Sequence, residues 1–231
     1  MAFIAQSLHM AFALILSGDK DVLSAVWTSL SIAIWSVVFA TVGGVPLGAA
    51  VALGYFPLQG TIRLILNSLM AMPTVMIGLV AYGFLSRQGP LGYLGLLFTP
   101  AAVVIGQTIL AIPVIANYTL GAFEGADKGI LPAARTLGAS PLQSLMQLGH
   151  EVRFGILAAI VAGFGRVVSE VGIAMMLGGN IRMYTRTMTT AIALESSKGE
   201  FAFGLALGVI LLMVSFSVNL FLTLAQERSR A

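Results

Sequence analysis

The chain has 231 residues, of which 58% are hydrophobic and only 9% charged, with a mean hydropathy of +0.98. Soluble domains average about 25% charged residues, so the composition excludes a soluble globular protein and indicates an integral membrane protein. There is no cysteine, which removes disulfides, thiolate metal sites and thiol nucleophiles. The net charge of +3 says less about partners than the placement of the charges does.

Residues 1–231 read as a single all-α membrane domain, with no stretch left over for a soluble domain of about 100 residues. Residues 3–16 are apolar but interrupted by Gln6, Ser7 and His9. That is short of the roughly 20 residues a spanning helix needs, so residues 1–21 are predicted to be an interfacial segment ending in the polar turn 17–21. His9 has no second ligand at helical spacing and is expected to be an interfacial residue, not a metal ligand.

About five spans are predicted: 22–53, 62–85, 101–118, 154–177 and 201–224. The Gly43-Gly44-Val45-Pro46-Leu47-Gly48 run suggests a kink or a close helix crossing in the first. Pro73 and Pro113 lie within the second and third, and each frees a backbone carbonyl where water cannot satisfy it. Such a position is either a static kink in a packed bundle or faces an aqueous path.

Between the third and fourth spans lies the long polar-punctuated segment 130–153. Two short helical patterns, 132–137 and 141–148, are joined at Gly138-Ala139-Ser140. Ser140 is a natural N-cap and Pro141 stands at the first helical position. Ala133, Ala134, Gly138 and Ala139 leave little bulk on one side, so another protein could approach closely. The segment reads as a docking surface held between spans.

The fourth span carries Arg166, Ser169 and Glu170. Arg166 and Glu170 are four residues apart and can pair on one helical face. Each charge alone costs at least about 2.5 kcal/mol at the bilayer centre, so the pair faces protein or water, either as a packing device or beside a translocation path. The following stretch, 178–195, combines Asn180, Arg182 and Arg186 with Thr187 and Thr190, donors suited to an oxyanion or to acidic groups of a partner. A Thr-rich helix capping the bundle would look the same.

No nucleophile, base and orienting group form a hydrolase motif, and no glycine-rich loop followed by Lys and Ser or Thr is present. The chain is therefore expected to be a non-enzyme that holds no cofactor and no metal.

The words AARTLGAS resemble the EAA loop of ABC importer permeases, with Pro132 where that family usually has Glu. Met72-Pro73-Thr74-Val75, Gly89-Pro90-Leu91-Gly92, Gly165-Arg166 and Glu170 with Gly172 resemble the membrane subunits of molybdate-type and tungstate-type importers. The words GGNI, YTRTMTTAIALE and KGEF look more like the tungstate branch. The resemblance covers about residues 22–224.

It implies a type I importer permease: two copies of the chain, two ATPase subunits carrying ATP and Mg docked on the cytoplasmic face, and an extracytoplasmic oxyanion-binding protein. Ala133, Ala134, Arg135, Leu137, Gly138, Ala139 and Ser140 would form the ATPase-coupling surface, and Pro73, Pro113, Arg166, Ser169 and Glu170 the path or gate. Asn180, Arg182, Arg186, Thr187 and Thr190 would face the binding protein or the ion. Molybdate or sulfate import is the alternative within transport, and an ungated pore or structural subunit the alternative outside it.

In the cell membrane this places the N-terminus outside and the C-terminus in the cytoplasm. Arg63, Lys128, Arg135, Arg153, Arg228 and Arg230 are then inside, and Lys20, Arg87, Arg182, Arg186 and Lys198 outside, with Arg166 within a span. Six against five gives almost no positive-inside bias, and the basic residues left outside call for a structural explanation.

Overall fold

The computed structural model describes residues 2–54, 58–127 and 129–230, with side chains described for 6–54, 58–127 and 129–226. Lys128 and the side chains of Arg228 and Arg230, counted above, lie outside the described residues. Within them the chain is helical: α1 (Ala2–Leu16), α2 (Lys20–Leu53), α3 (Gln59–Met70), α4 (Thr74–Leu85), α5 (Pro100–Glu124), α6 (Ile130–Thr136), α7 (Pro141–Glu151), α8 (Arg153–Val168), α9 (Gly172–Gly178), α10 (Met188–Lys198) and α11 (Phe201–Arg230).

The boundaries have local causes. Asp19 caps α2, its carboxylate accepting from the backbone N–H of Asp21 and Val22 at 2.9 and 3.1 Å. Thr99 caps α5, whose first residue is Pro100. Helix α2, at 34 residues, is about 50 Å long at 1.5 Å per residue, ample for a hydrocarbon core of about 30 Å. Helices α5 and α11 are also long and apolar enough to cross.

The second and fourth predicted spans are corrected: neither is one continuous helix. Helices α3 and α4 have 12 residues each and meet at 95° across residues 71–73. Helices α8 and α9 meet at 61° across residues 169–171. At about 18 Å apiece, α3 and α4 each fall short of the hydrocarbon core. Pro73 explains the first break, because it removes an N–H and holds Met72 away from helical geometry. The second break contains no proline.

Helices α2 and α5 form the centre. The glycine run predicted to permit a close crossing does so: a methyl on Gly44 would lie 3.0 Å from the Ile112 carbonyl oxygen, and one on Gly48 only 2.3 Å from that of Ala116. Between membrane helices there is little hydrophobic drive, and close backbone approach through small residues supplies the packing. Ala33, Val37 and Ala40 of α2 pack with Ala111 and Ile115 of α5, and with residues of α8, α10 and α11. A second cluster joins Ile77 and Ala81 of α4 to Val103 and Leu110 of α5 and to Ile173, Ala174 and Leu177 of α9. The amino-terminal helix α1 buries Ser7 and Ala11 and packs along α11.

Trp27, Val42, Leu212, Phe216 and Phe221 remain strongly exposed on this outside. Such a surface suits lipid or another apolar chain and not water.

Candidate functional site

The segment 130–153 folds as two helices joined at a right-sized turn for the residues predicted. Helix α6 ends in a Schellman motif: Gly138 adopts φ +85°, its N–H donates to the Arg135 carbonyl, and the Ala139 N–H donates to the Ala134 carbonyl, both at 3.0 Å. Helix α7 starts at once with a capping box, the Ser140 hydroxyl accepting from the Gln143 N–H and the Gln143 side chain from the Ser140 N–H. The two motifs leave the turn little conformational freedom. Leu148 and Val152 pack with Phe123 at the end of α5 and fasten the segment to the bundle.

What this lever presents is apolar. Leu137 at the turn is 88% exposed, and Leu142, Leu145 and Met146 of α7 are exposed with it. Ala133, Arg135, Gly138 and Ser140 are also exposed, while Ala134 and Ala139 are half-buried. The large apolar residues in this patch are the part that small-residue reasoning missed.

The breaks of the two bent spans meet. A methyl on Gly172 would lie 3.3 Å from Glu170 Oε1, 3.4 Å from Thr74 Oγ1 and 3.4 Å from Val75 Cγ2. Glu170 is 4% exposed, and its carboxylate has two partners. Arg166 Nη1 donates to Oε2 at 3.2 Å, and the Ile173 N–H at the start of α9 donates to Oε1 at 3.2 Å. The Glu170 carbonyl in turn accepts from the Thr189 hydroxyl at 2.8 Å. Glu170 therefore ties α8, α9 and α10 together at the elbow. Ser169 is exposed and donates to the Gly165 carbonyl. Pro73 is exposed at the facing break, whereas Pro113 is not brought here: it is buried inside the continuous helix α5.

The stretch 178–200 supplies three of the five basic residues assigned to the outside, and each has a carboxylate partner. Arg182 reaches back to Asp21 at the start of α2 with a two-pronged pair, Nε donating at 2.8 Å and Nη2 to the other oxygen. The hydrogen bond to Asp21 raises the Arg182 pKa further above its ordinary value. Arg186 and Lys198 share Glu195, at 3.6 and 3.1 Å. These six charged groups, counting Glu200, line an open cavity of about 470 Å³, and three of the five cations are thereby matched to carboxylates.

Thr187 and Thr190 are buried and form the capping box of α10, so their hydroxyls are spent on the helix start. Asn180, at φ +51°, donates weakly to the Thr190 carbonyl at 3.5 Å. Asp21, Thr74, Gly172, Thr189 and Glu195 belong to these arrangements and were given no site role from sequence, although Thr74 and Gly172 stand in the motifs quoted for the resemblance. Only the carboxylates carried a usable signal, as the counter-charges that unexplained cations require.

The sequence pattern described as binding-protein-dependent transport system inner membrane component matches residues 44–231. A tungstate uptake system permease protein of Campylobacter jejuni is 38% identical over 217 residues, covering 94% of this chain and 91% of its own. One of Peptoclostridium acidaminophilum is 35% identical over 227 residues, covering 98% and 100%. A bacterial alginate ABC transporter, solved in complex with an alginate pentasaccharide-bound periplasmic protein, superposes with a TM-score of 0.76 at 16% identity, covering 99% of this chain and 88% of its own. The last likeness concerns the fold. Together with the apolar helices, the matches show that the chain belongs to the family of binding-protein-dependent transport system inner membrane components, multi-pass permeases and not enzymes.

Proposed function

We propose that the chain is the membrane subunit of an ATP-driven importer that carries tungstate, a tetrahedral dianion delivered by an extracytoplasmic binding protein. The observation that carries the coupling is the rigid lever at 130–151, fixed at its turn by two capping motifs and exposing Leu137, Leu142 and Met146. An exposed apolar patch on a stiff element suits a groove on a partner. The partner is an ATPase subunit, which binds ATP and Mg. Two copies of the chain and two ATPase subunits complete the transporter. The substrate follows from the two relatives described as tungstate uptake permeases over nearly their full length.

ATP-driven closure of the ATPases moves the lever, and the two bundles rock between states open to either side. A ligand shifts such an equilibrium only through contacts that differ between the states. The lever supplies them at the cytoplasmic end, and the path runs beside the paired breaks at Pro73 and Glu170. The N-terminus lies outside and the C-terminus in the cytoplasm.

Because the chain has no cysteine, single-cysteine variants report topology without background. A membrane-impermeant maleimide applied to intact cells is expected to label Ser197→Cys, and to label Leu137→Cys only after lysis, with protection by the bound ATPase. Labelling of Leu137→Cys in intact cells, or no protection by the ATPase, would overturn the assignment.

A further inference from the structure

Arg166 is unusual for a charge whose only task is packing. It is one-third exposed, at 34%, while its partner Glu170 is 4% exposed. Its guanidinium spends one N–H on Glu170 Oε2, and none of its nitrogens is buried without a partner. The other four of the five donors that a guanidinium carries make no hydrogen bond among the described residues. Glu170 is engaged from both sides, by Arg166 and by the Ile173 N–H. Removing Arg166 from it would leave the carboxylate still held at the start of α9.

The place is equally specific. Two bent spans bring their breaks together here, with Gly172 lying between Thr74 and the Glu170 carboxylate. Gly165, Ser169 and Val171 are exposed beside Arg166. Irregular backbone at membrane depth is tolerated where it is buried in protein or lines an aqueous cavity. An unspent fork of N–H donors is shaped for a tetrahedral oxyanion or a carboxylate.

We infer that Arg166 is a transient contact for the translocated oxyanion and that Glu170 is its built-in placeholder, occupying the guanidinium when no ion is present. This rests on the importer reading. The exchange follows from charge. The resting pair is neutral, so it neither traps a dianion nor leaves a bare cation in the membrane, where an isolated charge is costly. An arriving oxyanion takes up the free donors and displaces the Glu170 carboxylate, which stays hydrogen-bonded to the Ile173 N–H. Its retained negative charge then pushes the ion onward. A conducting site must bind strongly enough to admit the ion and weakly enough to release it.

Glu170→Gln is the sharp test, because Gln keeps an acceptor for the Ile173 N–H while leaving Arg166 uncompensated. Permease–ATPase complexes of the wild type, Glu170→Gln, Arg166→Gln and the double variant are dialysed against tungstate without binding protein, and bound tungsten is measured by mass spectrometry. The ATPase background is common to all four. The E170Q complex is expected to hold tungstate about tenfold more tightly than wild type, the scale of one charged hydrogen bond, and the double variant to hold only background. In proteoliposomes E170Q should import more slowly, with a lower half-saturation.

Equal binding by E170Q and the double variant would overturn the exchange. Should E170Q fail to give a monodisperse complex, Glu170→Asp, which draws the charge back by one methylene, is expected to bind between wild type and that background-corrected increase; binding no tighter than wild type overturns the exchange. A wild type that imports oxyanion while E170Q gains no affinity refutes this inference alone. A wild type that imports none with ATP and binding protein refutes both it and the importer reading.

Discussion

Gly138 is where a single substitution separates the coupling role of the lever from the stability of the bundle. Its φ of +85° lies in the left-handed region, and a methyl group added there meets nothing within 4 Å. Crowding inside the chain therefore contributes nothing, and the cost is backbone strain alone, about 1–2 kcal/mol for an ordinary L-residue. That strain acts on the Schellman bonds from Gly138 and Ala139 to Arg135 and Ala134, which set the angle between α6 and α7. A distortion of about 1.4 kcal/mol is about tenfold in the population of the correct turn. Asn tolerates the left-handed region, whereas a β-branched side chain is the least suited to it.

The expected order of binding-protein-stimulated ATPase activity and of uptake is Gly, then Asn, then Ala, then Val, with Val lowest by about tenfold or more. The turn lies outside the packed clusters of the bundle, so the thermal midpoint of the purified permease should hardly move across the series. Uptake by Gly138→Val at the wild-type rate would refute the reasoning. So would an Asn variant as poor as Val.

Three further outcomes follow from named contacts. Leu148→Ala removes a 3% exposed side chain packed with Phe123 and Val152; a loss of about 2–5 kcal/mol at this anchor should free α7 to limited proteolysis and abolish ATPase stimulation. Gly48→Ala forces a methyl to 2.3 Å from the Ala116 carbonyl oxygen, whereas Gly208→Ala meets nothing within 4 Å; the first is expected to lower stability by about 1–3 kcal/mol and the second to leave the melting midpoint unchanged. Thr187→Ala breaks the α10 capping box and should cost about 1 kcal/mol, with Thr187→Ser close to wild type. A change in tungstate half-saturation at equal stability would instead assign Thr187 to the ion.

Much of the lever was legible in sequence because its signals are local. Ser140, Pro141 and Gly138 each state a backbone geometry within four residues, and the structure places a capping box and a left-handed turn there. The Arg166–Glu170 pair was legible for the same reason, through its four-residue spacing. The breaks were not. Hydropathy records how apolar a stretch is, and a bent pair is as apolar as a straight span, so 62–85 and 154–177 read as continuous helices.

Proline was an uneven guide. Pro73 marks a 95° bend, while Pro113 lies inside unbroken α5, where neighbouring helices enclose it. The elbow at 169–171 has no proline and depends on Glu170 meeting partners from α8, α9 and α10, which only tertiary contact reveals. The threonines carried two readings in sequence, ligand donors or a helix cap. The capping box at the start of α10 engages both Thr187 and Thr190, the helix-cap alternative. Three of the five basic residues assigned to the outside found counter-charges only in the fold: Asp21, distant in sequence, lies against Arg182, and Glu195 lies against Arg186 and Lys198.

The most direct test of the central claim is uptake by proteoliposomes containing the permease and its ATPase, supplied with binding protein loaded with tungstate, molybdate or sulfate in turn. The account predicts tungstate accumulation that requires both ATP inside and loaded binding protein outside. Uptake of molybdate or sulfate in place of tungstate would contradict the substrate. Tungstate flux in the absence of ATP would contradict the coupling through Leu137 and Gly138 on which the account is built.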